Sequence, residues 1–150
     1  MQARPGYFAA ARRPAPERRV DREFASATTL AEAPVRVDVH TGKLPSGGAA
    51  VQVRLWLDAG KLRFEKRSGR HQQKLTFLAG LFDPQGNFVT GKEGQIDFSL
   101  KDATLPQMTS EGFSASLTLP ASPGRYQVRA VVEEGLDGKV TASTQAAAVE

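Results

Sequence analysis

From Val35 onward, apolar residues recur at every second position, and this alternation constrains the fold more than any other feature of the chain. "VRVDVH" sets Val35, Val37 and Val39 against Arg36, Asp38 and His40. "VQVRLWLD" sets Val51, Val53, Leu55 and Leu57 against Gln52, Arg54, Trp56 and Asp58. The same period returns at Ile96, Phe98 and Leu100, at Phe113, Ala115, Leu117 and Leu119, and at Tyr126, Val128, Ala130 and Val132. Successive strand side chains point to opposite faces, so such segments are strands with one face buried and one wet. "KLTFLAGLF" (74–82) is apolar on both faces, which predicts a central strand under cover. Between these runs lie "TGKLPSGG" (41–48), "DAGK" (58–61), "DPQGN" (83–87), "PASPG" (120–124) and "LDGK" (136–139). All are turn chemistry: Asp and Asn bond their own backbone, Pro presets φ, and Gly takes positive φ. About seven to nine short strands joined this way predict an all-β, antiparallel β-sandwich of Ig/fibronectin-like type with little helix.

The first 34 residues have a different texture. Residues 9–22 are rich in Ala, Arg and Pro, with Val20 the one large apolar side chain, and read as a linker. "DREFASATTLAEAP" (21–34) predicts a short helix over about 22–32, ended by Pro34 and able to pack on the sandwich. Charge divides at the same place. Residues 1–22 hold six Arg against Glu17 and Asp21, whereas residues 23–150 hold fourteen basic and fourteen acidic side chains. The net charge of +4 therefore belongs to the tail, and the folded part is neutral, which argues against nucleic acid as the partner. Without cysteine there are no disulfides, thiol nucleophiles or thiolate metal sites. No apolar run approaches the roughly 18 residues of a membrane-spanning helix, and no signal-peptide pattern opens the chain.

The search for chemistry yields little. His40 and His71 are the only histidines, too few for a zinc site, which needs three or four clustered donors. "GFSAS" (112–116) lacks the Gly-x-Ser-x-Gly spacing and the strand-turn-helix setting of a hydrolase elbow. "TGK" at 41–43 and 90–92 has neither the spacing nor the following helix of a phosphate-binding loop. Asp83, Asn87 and Asp137 lie on turns, where such residues cap backbone and fall short of a calcium shell. No enzyme, cofactor or metal is expected. Two surface features remain. "KLRFEKRSGRHQQK" (61–74) places six Lys/Arg in one hairpin, a candidate patch for nucleic acid, anionic glycan or lipid headgroups. A solvated edge that discourages strand aggregation needs the same residues, and no aromatic platform for bases accompanies them. Trp56 shares a polar face with Gln52, Arg54 and Asp58. Such a Trp either stacks a sugar ring or packs beneath the 21–32 segment. The candidate ligand surface is therefore Trp56, Arg54, Arg67, Arg70 and His71.

"ARPGYF" (3–8) followed by an Arg/Pro linker resembles the closing strand and exit of the von Willebrand factor A-type domain in bacterial VWFA-related secreted proteins, abundant in Acidobacteria. "RLWLDAGKLRF" (54–64), "KLTFLAGLFDPQGNFV" (74–89) and "LTLPASPGRYQVRAVVEEGLDGKVTAS" (117–143) resemble the β-rich region that follows it. The resemblance implies three parts: residues 1–8 as the remnant of an A-type domain, 9–22 as linker, and 23–150 as the sandwich module. It also implies an extracytoplasmic setting and a non-catalytic binding or spacer role beside an adhesion domain, with a protein or glycan partner. The A-domain metal motif Asp-x-Ser-x-Ser does not occur in this chain, so metal-dependent adhesion is carried onto no residue here. The alternatives are a carbohydrate-binding accessory module built on Trp56 and, more remotely, a basic-loop binder of anionic polymers.

Overall fold

The computed structural model describes residues 19–26 and 29–150. The expected A-domain remnant (1–8) and most of the expected linker lie outside the described residues. The chain forms an antiparallel β-sandwich. Its larger sheet contains β1 (Leu30–Ala31), β4 (Glu65–Arg67), β5 (Arg70–Phe82), β6 (Phe88–Leu100), β8 (Gly124–Glu134) and β9 (Val140–Val149). Across it the order is β1-β9-β8-β5, with β6 on the far side of β5 and the short β4 pairing the start of β5. The smaller sheet is β2 (Val35–Lys43), β3 (Ala49–Leu57) and β7 (Phe113–Pro120), with β3 in the middle.

The alternation read from sequence is what fills the space between the sheets. Val51, Val53, Leu55 and Leu57 of β3 are fully buried against Leu75, Phe77, Ala79 and Leu81 of β5 and Val128, Ala130 and Val132 of β8. Each such Val, Leu or Phe side chain contributes about 1.5–3 kcal/mol relative to exposure. β5 is the covered central strand that its two apolar faces predict. Its odd residues enter the inter-sheet core, while Leu78 faces outward into a second cluster with Val20, Phe24, Val131, Val140 and Ala142.

That second cluster lies beneath the N-terminal helix, and here the structure departs from the sequence reading. The helix α1 spans Arg19–Ala25, not 22–32, and Leu30–Ala31 pairs with Thr141–Ala142 as β1. Val20 and Phe24 stand one helical turn apart on the same face, so these two residues place the helix on the sheet. Its start thus takes in residues 19–22, at the end of the expected linker. Gly80 makes the seat: a Cβ there would lie 2.5 Å from Phe24 Cζ. Arg129 Nη2 donates to the Glu23 carbonyl at 2.6 Å, satisfying one of the acceptors left open at the helix end. Arg19 donates to the Gly138 carbonyl and to Glu32, whose other oxygen accepts from Val140 N–H.

A second helix, α2 (Leu105–Glu111), links β6 to β7 and contains no buried residue. With Leu105 and Met108 as its apolar side chains it carries no periodic signal, which is why the sequence does not announce it. β6 is also longer than its apolar part, because Phe88–Gln95 is held by pairing to Thr76–Phe82 of β5 despite two glycines. The turns behave as their residues require. Ser68 and Gly69 both take positive φ between β4 and β5, the backbone that a two-residue hairpin needs. Among the described residues no helix is long and apolar enough to cross a membrane.

Candidate functional site

The two outer faces of the sandwich differ. That of the larger sheet carries α1; that of the smaller sheet carries Trp56. On the latter, cross-strand register sets Arg36, Trp56 and Ser114 in one row, Asp38, Arg54 and Ser116 in the next, and His40, Gln52 and Thr118 in a third. Trp56 is 36 % exposed. The expected alternative, burial beneath the 21–32 segment, does not hold, because that segment packs on the other sheet. What touches Trp56 is local. The Arg36 guanidinium carbon stands 5.1 Å from the ring centroid, a cation–π arrangement. Gly112, just beyond α2, presses on the ring edge, where a Cβ would come within 2.8 Å of Trp56 Cζ2. Gly112 also has φ of +80°, so only glycine suits this backbone and this close approach together.

The other candidates, Arg67, Arg70 and His71, are on the β4–β5 hairpin in the larger sheet, so the five residues do not form one site. Their charges are largely met within the molecule. Lys61 pairs with Asp58, Arg63 with Asp137, Lys66 with Asp102 and Arg67 with Glu65, so four of the six cations have carboxylate partners. Arg70 donates to the Ser99 carbonyl at 3.1 Å. His71 Nε2 lies 2.6 Å from Asp102 Oδ1. The segment is thus an edge laced by ion pairs rather than an open basic stripe. A hollow of about 390 Å³ on the adjoining sheet face is lined by Glu65, Arg67, Lys74, Asp97 and Leu136 among others, and its mixed charge selects no ligand sign.

The turn acids act on backbone and on neighbouring cations. Asp83 accepts from Gln85 N–H and Asn87 N–H and from the Asn87 side chain. Arg63 reaches both oxygens of Asp137 in a forked bond. Among the described residues no three His, Asp or Glu side chains cluster as metal ligands. Among the described residues, sequence reasoning missed four buried polar residues: Thr141, which accepts from Ala33 N–H and donates to the Ala33 carbonyl, and three others. Gln73 bridges the Arg63 carbonyl and the N–H groups of Lys74 and Gly135. Glu134 Oε1 accepts from Asp137 and Gly138 N–H in the β8–β9 turn, and Arg129 caps α1. Each lies in a strand whose alternation alone does not tell an inward polar residue from an outward one.

Asp102 is held below the usual carboxylate range first by the His71 bond and then by Lys66. Asp83 and Asp137 are lowered too, by the Asn87 N–H and by Arg63 respectively. A depressed carboxyl binds fewer protons folded than unfolded near pH 4, so stability rises with pH there and falls as acid protonates the native groups. We expect a melting temperature that is flat from pH 7 to about 5 and drops below about pH 4. Asp102→Asn should make that acid limb shallower, as followed by thermal denaturation across pH. Compared with known proteins, the sequence matches no family model and no curated protein.

Proposed function

We propose that this chain is a non-catalytic, extracytoplasmic binding module that recognises a protein through the outer face of the β2–β3–β7 sheet. In this reading it accompanies a von Willebrand factor A-type adhesion domain in a VWFA-related bacterial protein, as an Ig/fibronectin-like accessory sandwich. The observation that carries it is the asymmetry of the two outer faces. One is covered by α1, and the other leaves Trp56 at the surface between Arg36, Arg54 and a row of hydroxyls. Trp and Arg are the side chains most enriched where protein interfaces concentrate their binding energy. The resemblance of residues 3–8, 54–64, 74–89 and 117–143 to the family supports the setting.

The exposed Trp56 favours one second reading, a sugar-stacking platform. Arg36 over the ring weighs against it, since it takes ring surface that a pyranose would use. The test is a glycan and matrix-protein array probed with the full chain and with Trp56→Ala, each with its melting temperature measured. Protein spots that bind wild type and lose at least about tenfold in Trp56→Ala, with the fold retained, support the proposal. Glycan spots behaving so would replace it with the sugar reading. Binding to nothing would leave a spacer.

A further inference from the structure

We infer that the edge of β7 that no strand pairs among the described residues is a strand-addition site, taking an extended segment of a partner protein with alternating apolar and polar side chains as a fourth strand of the smaller sheet. This rests on the protein-binding reading and names how the partner docks. Two hydrogen bonds fix which backbone groups are involved. Ala121 N–H donates to the Ala49 carbonyl, so the odd residues of β7 and its extension face β3. Asp58 N–H donates to the Pro34 carbonyl, so the even residues of β3 face β2 and its odd ones face β7, in agreement. The N–H and C=O groups of Ser114, Ser116 and Thr118 therefore point away from the sheet, spaced as an incoming strand requires.

The other edges are blunted. β1 has two residues and β4 three. Beyond β1 the β9 edge at residues 143–149 is uncharged, but β2 lies beside it and takes a hydrogen bond from Gln145 through the Val37 carbonyl. β2 carries Arg36, Asp38 and Lys43, and its Val37 carbonyl accepts from the Gln145 side chain. β6 carries Lys92, Glu93 and Asp97. β7, "FSASLTLP", has no charged side chain along eight residues. Its seam with β6 is bridged by Phe113 edge-on to Phe98, ring centroids 5.1 Å apart, and by Leu117 on Gly94, yet apolar surface remains along it. Phe113, Ala115 and Leu117 of β7 and Ile96 and Leu100 of β6 point into the core yet remain only partly buried. Leu117 lies over Gly94, whose missing side chain leaves room there. Backbone pairing on β7 and an apolar strip beside it together describe a strand whose alternate residues are apolar. A globular or charged ligand meets neither requirement.

The probe is a lysine-flanked peptide of residues 112–120, which alternates as required and pairs antiparallel with β7 through Ser114↔Thr118. Amide exchange of the full chain is read by NMR with and without about 1 mM peptide, the range of a weak isolated strand. The proposal expects the Ser114, Ser116 and Thr118 amides to exchange fast in the free protein and at least about tenfold more slowly with peptide. Ser116→Pro removes one outward N–H, a change that edge strands tolerate, and should abolish the effect in a folded protein. Thr118→Pro serves if that variant fails to fold. Protection of these amides without peptide, perturbation elsewhere or none, or a folded proline variant that still responds would overturn the site. A free-protein dimer lost in Ser116→Pro would overturn the partner in favour of a second copy. An array protein that binds wild type and Ser116→Pro equally would overturn strand addition while leaving the Trp56-face reading intact.

Discussion

Phe77→Ala should lower the unfolding free energy by about 3–5 kcal/mol, the largest effect expected of any single substitution here. Phe77 is among the largest fully buried side chains and sits on β5, between β6 and β8, facing β3 across the core. Removing its ring forfeits transfer energy and leaves a cavity that two hydrogen-bonded neighbours cannot close by collapsing. Urea unfolding monitored by Trp56 fluorescence and by far-ultraviolet circular dichroism would report the loss. A loss below about 1 kcal/mol would mean that the inter-sheet core is not packed as described. Leu78→Ala, one residue along, offers the contrast. It opens the cluster under α1, so its effect should couple to that of Phe24→Ala in a double-mutant cycle, whereas Phe77→Ala should be additive with Phe24→Ala.

Gly112→Ala should cost about 2–3 kcal/mol, from two causes that can be separated. The first is the backbone: φ of +80° disfavours any side chain. The second is crowding, since the new Cβ would lie 2.8 Å from Trp56 Cζ2 and 3.1 Å from the Leu57 carbonyl oxygen. In Trp56→Ala the first contact vanishes while the backbone strain and the Leu57 contact remain. Gly112→Ala should therefore cost less in the Trp56→Ala background than in wild type, as measured by chemical denaturation of all four proteins. Equal costs in both backgrounds would show that Trp56 does not rest on Gly112. The comparison also bears on function, because a Trp braced by glycine on its edge and arginine on its face is pre-ordered for a partner.

Much of the architecture was legible because burial in a sandwich is written at period two. Val51 to Leu57 and Val128 to Val132 were assigned to the core by alternation, and β5 was marked as central by having no polar face. The site was less legible. Alternation correctly put Trp56, Arg54 and Gln52 on one outer face, but it does not say which elements cover that face. Arg67, Arg70 and His71, joined with Arg54 in one candidate ligand surface, belong to the other sheet. Arg67 pairs locally with Glu65, but other partners on this segment lie far along the chain, with 31 residues separating His71 from Asp102 and 74 separating Arg63 from Asp137. Pairings at that separation leave no local trace in composition or spacing.

By itself, then, the sequence determined the fold class, the inward faces of β2, β3, β5, β7 and β8, most of the turns, and the charge balance of residues 23–150. These follow from local rules: side-chain period, turn stereochemistry and counted charge. Only the tertiary structure decided that α1 starts at Arg19 and covers the larger sheet, that Arg36 and Gly112 frame Trp56, and that β7, without a charged side chain, lies at the edge of the smaller sheet. Each of these depends on which strand lies beside which. Strand order is set by contacts between residues far apart in the chain, where packing outweighs the weak propensities of short segments such as Arg19–Ala25 and Leu105–Glu111.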